Sequence, residues 1–489
     1  MIKHIPFIHV FKTCGGHYFF DVNRNSILRI SKPVYDYLKS KLEGLPDCGT
    51  DLNQEDVETL TQLISEGFLS DKKVSEIANP INDYIEYHTC NRLSMLCLQT
   101  TQQCNFRCSY CLYSDNYTNR KHSDRKMSIE TAKKGIDFLV NHSSDSHRLY
   151  IAFYGGEPLL ELDFIKHCVE YAEEICEGKE LVFSMTTNGS LLNEKVVRYL
   201  QEHNFQIMVS LDGPKDIHDS NRKFINNKGT FDKVINNLKM IKNKFPEYYS
   251  GIAINAVIDT RNDLESINNF FMNDDNVKDV YLNHSFISDF YTDNRVTGQE
   301  SFYTFRKYEV FKAFLSKINR CDKKHVSPFA NSDLFFLTEC IHKQLKMTDN
   351  LLEKAHPGGP CSAVERLFMN VDGDFYPCER VSEISETMRI GNVDSGFDID
   401  KILKLINIGR LTEEECKQCW AFRYCNLCAA SVDTLSDLSA EKKLALCKSV
   451  RETIEGAFID YCTLKECGAD FDNGEVLKNT TDCRWSLYE

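Results

Sequence analysis

LSMLCLQTTQQCNFRCSYC, residues 93–111, joins two patterns that decide how the rest of the chain reads. Residues 93–100 are an apolar-rich run of strand length. Cys104, Cys108 and Cys111 follow it at a CxxxCxxC spacing. Three thiolates so close together wrap one face of an iron–sulfur cubane and leave its fourth iron without a protein ligand. An open metal position is where a substrate or cofactor coordinates, by the logic that separates catalytic from structural zinc sites. The competing reading of this spacing alone is a zinc site or unligated structural cysteines.

Outward from that stretch, strand and helix patterns alternate. Strands are expected at 93–100, 149–154, 181–186, 206–211, 252–258 and 277–283, and helices at 129–141, 163–177, 194–203, 231–244 and 263–272. Such β–α alternation implies a parallel sheet with helical crossovers. Six strands fit a partial, open (β/α) barrel as well as a doubly wound sheet, and periodicity does not choose between them. In either architecture the reactive groups sit at the C-terminal ends of the strands.

The strand ends carry further motifs. Phe153-Tyr154-Gly155-Gly156-Glu157-Pro158 ends the second strand, Thr187-Asn188-Gly189 the third, and Ser210-Leu211-Asp212-Gly213-Pro214 the fourth, with Asp219 and Arg222 shortly after. CxxxCxxC with Tyr110 before its last cysteine, followed by these motifs in order, resembles the radical S-adenosylmethionine (radical SAM) superfamily. The resemblance implies an α/β fold built on a partial (β/α)6 TIM-like barrel. It also implies a [4Fe–4S] cluster on Cys104, Cys108 and Cys111 whose free iron is chelated by SAM. Gly155, Gly156 and Glu157 would then hold the SAM amino group, with the carboxylate of Glu157 facing the ammonium. Ser210 and Arg222 would hold the SAM carboxylate, Ser184 would lie near the ribose, and Tyr110 and Asn188 would complete the cofactor site.

Residues 290–355 are mostly charged helical patterns. Beyond them Cys361, Cys378, Cys416, Cys419, Cys425, Cys428 and Cys447 fall in a stretch with little periodicity, where metal clusters would act as staples. Their spacing resembles the SPASM domain, with two residues rather than three before the cysteine at 428. The resemblance implies two auxiliary [4Fe–4S] clusters: Cys416, Cys419, Cys425 and Cys447 on the outer one, and Cys361, Cys378 and Cys428 on the inner one. Some relatives recruit a cysteine six residues after the first, where this chain has Leu367. One inner iron would then be open, unless Cys340 or Cys467 fills it. Glu379 matches a position where sulfatase-maturing relatives carry an acidic catalytic residue; the plainer reading is a solvated glutamate beside Arg380. A zinc ribbon is the competing reading of the CxxC pairs.

The first 85 residues read as a small α+β unit: strand runs at 7–12, 17–22 and 26–30, then helices from Lys32-Pro33 and over 53–65. In order and size of elements this unit resembles the RiPP recognition element, a winged-helix-like module that binds a precursor's leader as an added strand. The organisation expected is therefore a peptide-binding module at 1–85, a radical SAM barrel at 86–300, a helical bridge at 301–355 and a cluster-binding domain at 356–489.

A net charge of −14 argues against non-specific nucleic-acid binding. No run of residues is apolar and long enough to span a bilayer, and the N-terminus is no signal peptide. The 21 cysteines at short spacings then point to metal in a reducing cytoplasm. Together these resemblances imply a maturase that cleaves SAM reductively and installs cysteine thioether cross-links in a ribosomally made precursor peptide. Its partners would be that peptide and an electron donor such as flavodoxin or ferredoxin. The alternatives are another radical SAM modification, carbon–carbon cross-linking or oxidation of a sulfatase residue to formylglycine, and a zinc-binding winged-helix regulator. The acidic helix NQEDVETLTQLIS, residues 53–65, counts against the regulator.

Overall fold

Three short antiparallel strands come first in the computed structural model, which describes residues 2–45, 52–114, 116–117, 120–176, 178–292, 294–347, 350–358 and 364–472. They are β1 (Ile8–Lys12), β2 (His17–Asp21) and β3 (Ser26–Ile30), in the spatial order β1-β2-β3. Helix α1 (Lys32–Leu42) starts on a Ser31 cap with Pro33 in its first turn, and α2 (Gln54–Ser65) starts on a reciprocal Asn53–Asp56 capping box. Strand alternation divides the sheet's side chains between two cores. Ile8, Val10, Phe19 and Leu28 face α1 and α2, whereas Phe11, Tyr18, Phe20 and Ile27 face the C-terminal part of the chain.

The central sheet is built from β4 (Met95–Thr101), β5 (Arg148–Gly155), β6 (Glu180–Thr187), β7 (Gln206–Ser210), β8 (Ala253–Ile258) and β9 (Tyr281–Phe286). These six are parallel and follow one another in space. Between them run α3 (Ile129–Asn141), α4 (Leu162–Ile175), α5 (Glu194–Glu202), α6 (Phe231–Lys244) and α7 (Leu264–Asn273). This is the expected β–α alternation. The last strand begins later than the pattern predicts. The amides of Val277 and Lys278 bond back to Asp274 O and that of Asn276 to Asp274 Oδ1, so the apolar start of 277–283 is spent in a turn. Val277 and Val280 are buried there without being strand.

After α8 (Glu300–Lys317), the chain returns to the sheet in a way the sequence did not announce. Strand β10 (Arg366–Met369) pairs in parallel with β4, Leu367 opposite Leu96 and Phe368 opposite Cys97. Strands β11 (Asp374–Tyr376), β12 (Gly391–Asn392) and β13 (Gly396–Phe397) extend it antiparallel, giving ten strands in one sheet. The cysteine-rich region is thus welded to the barrel by backbone hydrogen bonds. Helix α9 (Ile399–Ile406) follows, and α10 (Ala440–Glu466) closes the described chain. Among the described residues no helix is long and apolar enough to cross a membrane.

Candidate active site

Cys104, Cys108 and Cys111 lie in the loop leaving the C-terminal end of β4. Two glycines at the end of β5 bring that loop against the neighbouring strand. A Cβ at Gly155, whose φ is +138°, would stand 2.2 Å from Thr101 O, and one at Gly156 would stand 2.0 Å from Gln103 O. Only glycine permits this approach. The three thiols are close enough to disfavour one another's ionisation. Burial pushes Cys104 up to about 12 and raises Cys108 and Cys111 as well. Donors already face the sulfurs: Phe106 N lies 3.3 Å and Asn188 Nδ2 3.8 Å from Cys104 Sγ, and Tyr113 N lies 3.4 Å from Cys111 Sγ. Clustered, dry thiols with amide donors aimed at them fit an iron–sulfur cluster, which stabilises the thiolate form.

The strand-end residues form a linked rim. Glu157 is buried and its carboxylate accepts from Asn188 N at 2.7 Å, Thr187 Oγ1 at 2.7 Å and Leu159 N at 3.1 Å. It therefore ties the end of β5 to the end of β6, and burial lifts its carboxyl to about 7. Asn188 also donates to Asn105 Oδ1 at 2.8 Å, anchoring the cysteine loop. Arg222 forms a buried two-point pair with Asp212 at 2.9 and 3.0 Å and lies over the ring of Tyr110. Tyr110 itself donates to Asp212. Ser184 is buried within β6 and Ser210 at the end of β7. The organising role of Asp212 escaped the sequence reading, since only the fold brings Tyr110, Arg222 and the amide of Val257 to one carboxylate.

Cys378 and Glu379 follow β11 and pack over the barrel. Glu379 is not solvated beside Arg380: it is buried and ion-paired with Arg366 of β10. Burial alone would raise its carboxyl, but Arg366, a backbone amide and Arg380 together hold it below the usual range. Arg120 donates to the carbonyls of Glu379 at 2.7 Å and Val381 at 2.8 Å, and its Nε is 2.7 Å from Glu383. Gln99 of β4 donates to the same Glu383 at 2.6 Å. Tyr154, on β5, feels the charge of both Glu379 and Cys111, so the carboxylate and the first cysteine loop share one neighbourhood. Arg366, Arg120 and Glu383 escaped notice in the sequence; Gln99, polar within an apolar strand run, is the one visible signal.

Cys416, Cys419, Cys425 and Cys447 line one cavity of about 200 Å³. Among the described residues no three His, Cys, Asp or Glu side chains close on a single-ion point. Four thiols around one cavity are a donor set that an iron–sulfur cluster takes, so these residues fit the expected outer cluster. Cys378 and Cys428, two of the expected inner ligands, pack against the barrel core. Cys361, the third expected inner ligand, lies outside the described residues. Leu367 is fully buried on β10, in the barrel core.

Residues 98–271 match the family model for the Radical SAM superfamily. The cysteine-type anaerobic sulfatase-maturating enzyme of Clostridium perfringens (strain 13 / Type A) is 26% identical over 383 residues, 75% of this chain and 96% of that protein. Its counterpart from Clostridium novyi (strain NT) is 32% identical over 186 residues, 37% of this chain, and the match spans only 49% of that relative's length. The solved structure of native anSMEcpe with bound AdoMet superposes with a TM-score of 0.57 at 23% identity, covering 76% of this chain and 99% of that one, and so has the same fold. The barrel, the cysteine loop at its head and the superfamily match over residues 98–271 make the protein a radical SAM enzyme, with SAM and [4Fe–4S] clusters as its cofactors.

Proposed function

We propose that the protein matures a polypeptide by radical oxidation of a cysteine side chain, the reading that its cysteine-type sulfatase-maturating relatives favour over thioether cross-linking. When bound, the clusters and SAM supply the hydrogen-abstracting 5′-deoxyadenosyl radical and the acceptor for one further electron. The chain's own residues do the rest. The Gly155–Gly156 approach and the Glu157 strut hold the cysteine loop rigid, so that the abstracted hydrogen is chosen by position. A cysteine whose β-carbon has lost a hydrogen atom and an electron must also lose its thiol proton to become a thioaldehyde, which water converts to the aldehyde with release of hydrogen sulfide. Glu379, buried, ion-paired with Arg366 and kept ionised by that pair together with Arg380 and a backbone amide, is the group we assign to take that proton. That placement carries the reading. Electrons would come from a donor such as flavodoxin or ferredoxin, and dense thiols suit a reducing cytoplasm.

The test uses the Cp18Cys peptide that anSMEcpe binds. Reconstituted wild type with SAM and reductant should convert its cysteine to an aldehyde that a hydrazide probe captures. Glu379→Gln should cut product at least about 100-fold while SAM cleavage continues. Full product from Glu379→Gln would remove Glu379 from the mechanism.

One observation favours the second reading, thioether formation in a precursor peptide. Strand β3 pairs only with β2 among the described residues, so its outer edge stands open for an added strand. The alignment with the Clostridium perfringens enzyme also leaves a quarter of this chain unmatched. A thioether product would show as loss of two hydrogens and of a free thiol, with no aldehyde.

A further inference from the structure

Lys443 lies on α10 with 1% of its surface exposed. Its Nζ donates to Thr412 Oγ1 at 2.5 Å and to Cys416 Sγ at 3.1 Å. Among the described residues no carboxylate pairs with it. An ammonium taken out of water needs a counter-charge, and a hydroxyl and one neutral thiol do not provide it. The cavity beside it does, once four thiolates there hold a cluster.

A second cation stands on the same helix face. Lys443, Cys447 and Arg451 recur at i, i+4 and i+8, and all three line the cavity. Arg451 stands near enough to Cys419 for its charge to favour that thiolate. Cys416 thus receives a cationic donor from α10, and a second cation of the same helix faces the cavity beside Cys419. The acidic residue lining the cavity is Glu415; the neighbouring Lys417 is already paired with Glu413 and Glu414.

We propose that Lys443, seconded by Arg451, sets the reduction potential of the outer auxiliary cluster, holding it higher than four thiolates alone would. This rests on the assignment of a cluster to Cys416, Cys419, Cys425 and Cys447. A thiolate-bound cubane is negatively charged and becomes more so on reduction. A fixed cation and N–H···S bonds in a dry site stabilise the reduced form more than the oxidised one. Both are positioning residues. They bias the outer cluster toward accepting an electron, the direction an oxidation of substrate requires.

The experiment uses the full chain with Cys104, Cys108 and Cys111 changed to Ala, so that only auxiliary clusters remain, reconstituted anaerobically. Iron content and an EPR-monitored redox titration are compared for this parent and for added Lys443→Met, Lys443→Arg and Arg451→Gln. Iron should stay at about eight per chain. One of two midpoint potentials should move negative in Lys443→Met, move less in Arg451→Gln, and return toward the parent in Lys443→Arg. Unmoved midpoints with iron retained in Lys443→Met overturn the proposal. If Lys443→Met loses iron, Arg451→Gln decides: an unmoved midpoint there overturns it equally. A Cys416→Ala, Cys419→Ala pair that loses no iron would instead show that the cluster assignment itself has failed.

Discussion

Gly156 stands so close to Gln103 that one methyl group separates a working loop from a displaced one. The Cβ of Gly156→Ala would lie 2.0 Å from a backbone carbonyl, which cannot swing away as a side chain can. The variant should lose about 1–3 kcal/mol of stability by overpacking. It should also lose about four irons per chain, since the cysteine loop must move; thermal unfolding and iron analysis check both. At this scale the sequence shows spacing and hides partnership. CxxxCxxC is legible because its ligands are neighbours in the chain. Glu157 was legible as a strand-end acid, but not as a strut whose oxygens are taken up by Thr187, Asn188 and Leu159. The Arg366–Glu379 pair was illegible, because only the return of β10 to the barrel sets Arg366 beside that carboxylate.

Helix α10 shows what one element carries. Phe458, fully buried, packs against Phe11 and Phe20 of the N-terminal sheet and against Trp420 and Tyr424 of the cysteine-rich region. Replacing it with alanine should cost about 3–5 kcal/mol. Because the loss falls on the docking core, limited proteolysis should cut first between α2 and β4, before the barrel is touched. Wild-type resistance there in Phe458→Ala would show that the sheet docks by other contacts. Elements with long periodic faces were legible: α3 and α6 span the residues their apolar spacing predicts. The four residues of β10 were not, because Arg-Leu-Phe-Met is too short to show a period and its partner lies far upstream.

Across the whole molecule, buried titratable groups predict how stability follows pH. Burial holds His9, His218, His284 and His356 each at about 4. Their unfolded value is near 6.5, so below it the unfolded chain binds more protons and stability falls as pH drops from about 6.5 toward 4. Each contributes about 1 kcal/mol of loss by pH 5.5. Glu157, lifted to about 7, and Asp460, lifted to about 6, run the other way, their effect weakening stability as pH rises. Four histidines outweigh two carboxyls. The melting temperature of the cluster-free protein should therefore fall between pH 7.5 and 5.5, and His218→Gln should shallow that fall; scanning fluorimetry across the range checks both.

The three cysteine sets make the largest claim about the molecule: that it holds one SAM-binding cluster and two auxiliary ones. Anaerobic iron, sulfide and zinc analysis of wild type and of a Cys104→Ala, Cys108→Ala, Cys111→Ala variant tests it most directly. About twelve irons per chain should fall to about eight in the variant, with matching sulfide. Stoichiometric zinc with little iron in the wild type would contradict that claim.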